Sequence, residues 1–157
     1  FDQIKVAIVG DIKHSRVARS LTEGLAIMSN KKLALITPEE FKPNMEFYPN
    51  AEHYEDLDQG LVNADVVVAL RVQKERIESL TEMISPNDYF EKYGLTEKRL
   101  QPCNEDVIVM HPGPVNRGVE ISDEVADGTN SVIREQVTNG IAIRMALLSM
   151  MQAEVMK

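Results

Sequence analysis

The stretch IKVAIVGDIKHSRVARSLTEGLAIMSNKKLALI, residues 4–36, decides the architecture. It opens on a short β-branched apolar run, IKVAIV at 4–9, that ends at Gly10; a polar stretch follows, then an amphipathic segment from about 17 to 29. LALI at 33–36 is a second apolar run, stopped by Pro38. An apolar run regained after one helix is a βαβ unit, so the sheet it begins is parallel. Downstream, a polar, proline-bearing loop at 38–50 leads to a short acidic helix at 55–63, and ADVVVAL at 64–70 is the strongest strand in the chain. Its uniform apolarity implies burial on both faces. IESLTEMIS at 77–85 reads as helix up to Pro86, 89–101 as a short helical or irregular piece, VIVM at 107–110 as the last strand, and about 131–154 as a long final helix. With no repeat, linker or boundary, residues 1–157 form one domain: a doubly wound α/β fold with a mostly parallel sheet flanked by helices.

Composition narrows the function. The 157 residues carry 17 basic and 25 acidic side chains, a formal charge of −8, and 43 % are apolar. That balance fits a globular chain and excludes disordered and fibrous classes. It also argues against nucleic acid, whose phosphates need a basic stripe. No run approaches the ~18 apolar residues of a membrane span, and the first residues lack a basic region followed by a cleavable apolar run, so the expected compartment is the cytoplasm. A single cysteine, Cys103, away from any basic cluster, reads as an inert thiol. Histidines at 14, 53 and 111 give no metal-ligand spacing.

In doubly wound sheets ligands lie beyond the carboxyl ends of the strands, which directs attention to three loops. GDIKHSRVARS at 10–20 gathers Lys13, His14, Arg16 and Arg19 in an otherwise acidic chain. It reads as an anion site at a helix start or as a solvated basic surface. A dinucleotide fingerprint needs three glycines where only Gly10 stands, so no nicotinamide or flavin cofactor is expected. LRVQKER at 70–76 puts Arg71 and Gln73 on one side of an extended segment, a fork of donors suited to a carboxylate, with Glu75 able to brace a guanidinium. The alternative there is a helix start with an ordinary Arg71–Glu75 pair. HPGPVNRGVEI at 111–121 rigidifies its backbone with Pro112 and Pro114 around Gly113 and leaves carbonyls free to accept from an amine, unless it is only a structural turn. His14 and His111 are candidate bases, although the sequence shows neither with a local partner.

Taken in order, GDIKHSRVARS, LRVQKER, MHPGPVNRGVEI and NGIAIRMALL closely resemble the aspartate-binding domain of the aspartate carbamoyltransferase family, over essentially the whole chain. The related ornithine carbamoyltransferases carry HCLP and SMG where this chain has HPGP and LRVQKER. The resemblance implies carbamoyl transfer from carbamoyl phosphate to the amino group of L-aspartate, in pyrimidine biosynthesis, without a cofactor. It implies that Arg16 holds the α-carboxylate, that Arg71 and Gln73 hold the β-carboxylate, and that Glu75 orients Arg71. The carbonyls of Pro112 and Gly113 would take the substrate amino groups, Gly113–Pro114 would be a cis peptide, and Lys13 would belong to the same site. The familiar enzyme, expected to be a homotrimer, binds carbamoyl phosphate on an N-terminal domain through a Ser-Thr-Arg-Thr-Arg loop, and nothing like it occurs here. The further catalytic His and the Lys lent by a neighbouring subunit are missing too. Either the chain is a piece of a longer enzyme or it meets a partner carrying the other half. IAIRMALLSMM at 141–151 is apolar on nearly every side, which calls for a covering surface. The alternative from another class is a dicarboxylate-binding or regulatory module that performs no reaction.

Overall fold

A computed structural model describes residues 1–30, 32–72 and 86–155. Five strands, β1 (Lys5–Val9), β2 (Lys32–Ile36), β3 (Ala51–Tyr54), β4 (Val66–Ala69) and β5 (Ile108–Met110), form one sheet in the order β3-β2-β1-β4-β5. Every pairing is parallel. The described α-helices are α1 (Arg16–Ile27), α2 (Leu57–Leu61), α3 (Pro86–Tyr93), α4 (Glu97–Leu100), α5 (Asp123–Asp127) and α6 (Ile133–Val155). Burial explains why the strands read as continuous apolar runs. Ala7, Val9, Ile36 and Val67 feed a core on one face, while Val6, Ile8, Leu35 and Val68 feed a second core on the other.

Local chemistry fixes the boundaries. The Ser15 side chain caps α1 by accepting from the Ala18 N–H at 3.0 Å, and Ala18 and Leu25, seven residues apart, are its buried positions. The helix ends where Ser29 turns left-handed at φ 60°. Helix α2 packs so closely on the sheet that a Cβ on Gly60 would lie 2.5 Å from the Ile36 side chain. The start of β4 is anchored to β1 through Asp65, whose carboxylate accepts the Lys5 N–H and the Asn104 amide, each at 2.6 Å. These donors hold the Asp65 carboxyl below its ordinary value, the Lys5 N–H contributing most.

Three differences from the sequence expectation have physical causes. Strand β3 was not anticipated, because AEHY is a half-buried edge segment without an apolar run. The segment 89–101 is two helices, separated where Leu95 pairs with Ile121. Helix α5, capped by Ser122, is too short and acidic to show a stripe. The expected helix at 77–85 lies outside the described residues.

The outer side of β5 is closed by the chain itself: the Val109 N–H donates to the Asn130 carbonyl at 2.7 Å and the Val132 N–H to the Val109 carbonyl at 3.0 Å. Directly afterwards α6 begins. Val137, Ile141, Met145 and Leu148 form one apolar stripe on it and Ile143, Leu147 and Met150 another, all between 52 % and 68 % exposed. The reading of an uncovered apolar helix holds. No helix among the described residues is long and apolar enough to cross a membrane.

Candidate functional site

From β1 the chain proceeds outward to β2 and β3, then returns to β4 on the opposite side of β1. The crevice beyond β1 and β4 is therefore the topological switch point: the first loop leaves β1, residues 70–72 leave β4, and the third loop leaves the neighbouring β5.

The first loop is pinned by what it buries. Gly10, at φ +129°, donates its N–H to the Ile36 carbonyl, and a Cβ there would stand 3.1 Å from the Leu70 Cβ. Only glycine allows both the backbone conformation and this approach of the first two loops. Ile12 is fully buried, and the buried Asp11 carboxylate accepts the His14 N–H at 3.2 Å and contacts His14 Nδ1 at 2.8 Å. Lys13, His14 and Arg16 are left exposed at the start of a helix with no acidic residue in its first turn. That is an electropositive helix end.

In the second loop the alternation of burial does the work. Leu70 donates its N–H to the Val9 carbonyl at 2.8 Å and is buried, Val72 is buried, and Arg71 between them is exposed. Gln73 and Glu75 lie outside the described residues. Among the described residues, ion pairs occupy Lys42, Arg99, Arg117 and Arg134. Lys13, Arg16 and Arg71 stand outside those pairs.

The third loop turns through a cis Gly113–Pro114 peptide, with Gly113 at φ +68°. Its interior is polar and buried. The Gly113 N–H donates to His111 Nδ1 at 2.8 Å, His111 Nε2 lies 3.0 Å from Glu120 Oε1, and the Asn116 N–H donates to the same oxygen at 2.6 Å. The Asn116 amide reaches the Val72 carbonyl at 2.9 Å, which joins the third loop to the second. Pro112 is half-buried and Gly113 and Pro114 are exposed. A cavity of about 280 Å³ separates Pro112 and Met110 from Val17 and Leu21 of α1, so the third loop also faces the first helix.

Structure thus corrects one expectation: both candidate histidines have acidic partners. His14 meets Asp11, three residues before it, a spacing the sequence displays; His111 meets Glu120 across a turn whose path the sequence does not reveal. Arg117, in the same loop, is engaged by Asp123 at 2.6 Å and Asp127 at 2.7 Å. Burial pushes the Cys103 thiol up to about 11, which disfavours a reactive thiolate. No group of three or more potential metal ligands occurs among the described residues.

Comparison with known proteins gives the fold and the family. Among solved structures the fold matches the ornithine carbamoyltransferase of Pyrococcus furiosus, with a TM-score of 0.79 at 24 % identity, covering 93 % of this chain and 49 % of that one. The ornithine transcarbamoylase of Giardia lamblia gives 0.76 at 24 % identity, with 94 % and 50 % covered. In sequence, the aspartate carbamoyltransferase catalytic subunit of Ruthia magnifica subsp. Calyptogena magnifica is 48 % identical over 153 residues, 96 % of this chain and 47 % of that protein. The chain spans about half the length of these relatives. Residues 2–151 match the family model of the aspartate/ornithine carbamoyltransferase Asp/Orn binding domain, and with the crevice, the three loops and the parallel sheet in place the chain belongs to that family.

Proposed function

We propose that this chain is the amino-acid-binding half of an aspartate carbamoyltransferase. What supports the reading is that two exposed arginines outside the ion pairs among the described residues, Arg16 and Arg71, lie on the segments that follow β1 and β4, the strands flanking the switch point, while the turn at Pro112 and Gly113 follows the neighbouring β5. Two separated guanidinium groups suit a dicarboxylate, and free carbonyls suit its ammonium or amine group. In this reading Arg16 takes the α-carboxylate, Arg71 with Gln73 takes the β-carboxylate, and Glu75 orients Arg71. Lys13 adds positive charge at the mouth, and Pro114 completes the turn.

Transfer then needs no covalent help from the protein. The amine nitrogen of aspartate attacks the carbonyl carbon of carbamoyl phosphate; the new C–N bond forms as the C–O bond to phosphate breaks, and phosphate leaves with the proton the amine gives up. The domain's share is positioning and charge balance. Carbamoyl phosphate would be held by a second domain, and the complete enzyme would assemble as a homotrimer. The test is carbamoyl transfer by the full-length enzyme bearing this domain, with L-aspartate and L-ornithine compared as acceptors. Aspartate is expected to react and ornithine not; preference for ornithine would overturn the reading.

A further inference from the structure

The carbonyl turn and the Arg71 segment are mechanically one piece, and a single buried carboxylate joins them. Glu120 is 2 % exposed. Its Oε1 receives both the His111 ring and the Asn116 N–H. The tautomer of His111 follows from its other nitrogen: the Gly113 N–H can only donate, so Nδ1 accepts and the ring proton sits on Nε2, directed at Glu120. The imidazole therefore relays the grip of Glu120 to the backbone of Gly113. Asn116 carries the same grip in the other direction, because its side-chain amide donates to the carbonyl of Val72, the residue after Arg71.

A turn that only had to be closed would not need an ion. Glu120 Oε2 is buried without a hydrogen-bond partner among the described residues, and burying a carboxylate half-satisfied is costly where a neutral acceptor would suffice. What the charge adds is shorter, stiffer hydrogen bonds to the two donors that define the turn.

We propose that Glu120 and Asn116 are positioning residues that hold the Pro112–Gly113 carbonyls at a fixed separation from Arg71, and so measure the distance between the amino group and the distal carboxylate of the acceptor. This rests on the function proposed above. Such a ruler accepts aspartate and disfavours a dicarboxylic amino acid one methylene longer. The Asn116 side chain bonds the Val72 carbonyl, so its loss uncouples two otherwise intact contacts.

The experiment uses the full-length enzyme. For Asn116→Ala, kcat with aspartate should fall by about tenfold or more, since small misplacements of reacting groups are costly. The Ki of L-glutamate as a competitor, divided by the KM of aspartate, should fall by roughly fivefold or more as the ruler slackens. The KM of carbamoyl phosphate should stay unchanged. Glu120→Gln, whose amide oxygen still accepts both donors but without the charge that stiffens them, should lower kcat and the ratio in the same direction as Asn116→Ala, and by less than Glu120→Ala. A purely structural role would lower the melting temperature without moving the glutamate-to-aspartate ratio. Active, folded Asn116→Ala enzyme with wild-type kcat and ratio overturns the inference alone. Absence of transfer to aspartate by the unsubstituted enzyme overturns the functional reading and the inference with it.

Discussion

Arg16 and Arg71 are legible in the sequence because each follows a strand closely, and the end of a strand is where a doubly wound fold exposes polar side chains to its crevice. In the full-length enzyme, Arg16→Ala or Arg71→Ala should each raise the aspartate KM strongly and lower kcat, the loss of a charge-assisted hydrogen bond to a carboxylate being worth ~1.5–3 kcal/mol. Steady-state kinetics with wild-type values for both variants would remove them from the site. The Glu120–His111 pair was not legible, since eight residues and a cis peptide intervene and nothing in composition indicates that the chain folds back there. Asp65 lends itself to a pH test. Its folded-state pKa is lowered, so its stabilisation is complete above the unfolded aspartate value and disappears as pH falls through the folded one. Below about pH 4 the urea midpoint should drop, and Asp65→Asn should drop less steeply over the same range. Equal slopes for the two proteins would show that Asp65 is not the group responsible.

At the scale of elements, sequence revealed whatever buries a continuous apolar surface. β1, β2, β4, β5 and the outline of α1 and α6 follow from uniform or periodic hydrophobicity, because both sheet faces are covered. β3 escaped because an edge strand needs only alternate burial, and AEHY spreads a half-buried alanine, an exposed glutamate, a histidine and a tyrosine over four positions. Helix α2 depends on a residue with no side chain. Gly60→Ala must displace Ile36, and overpacking of this kind costs about 1–3 kcal/mol. A melting temperature equal to that of the unsubstituted chain would show that α2 can slide outward freely. Helix α6 leaves its large apolar side chains exposed. Each large apolar side chain left in water forgoes roughly 1.5–3 kcal/mol of burial, so the isolated chain should self-associate with rising concentration. Leu148→Gln with Met151→Gln should reduce that association without lowering stability, which sedimentation velocity and thermal melts report separately.

For the whole molecule, the half-length match to its relatives and the bare stripes of α6 point to one expectation. The 157-residue chain alone should show no measurable carbamoyl transfer, since positioning the carbamoyl carbon within ~3–3.5 Å of the aspartate nitrogen requires the phosphate end to be anchored as well. Dicarboxylate binding by the open crevice should be weak and salt-sensitive, because water screens Arg16 and Arg71. A colorimetric assay for carbamoyl aspartate checks this, and turnover comparable to a complete enzyme would show that the other half is dispensable. The splice between β5 and the root of α6 carries a mechanical consequence. Val109 is bonded on both its N–H and its carbonyl to residues 130 and 132, and Gln136, in the first turn of α6, accepts the N–H of His111 at 3.3 Å. The long helix is thus a lever whose fulcrum is the strand that ends in the carbonyl turn. A body pressing on its far end would load Val109 of the strand and the His111 amide together, and deuterium uptake at the His111 amide would serve as a gauge of whether the lever is loaded.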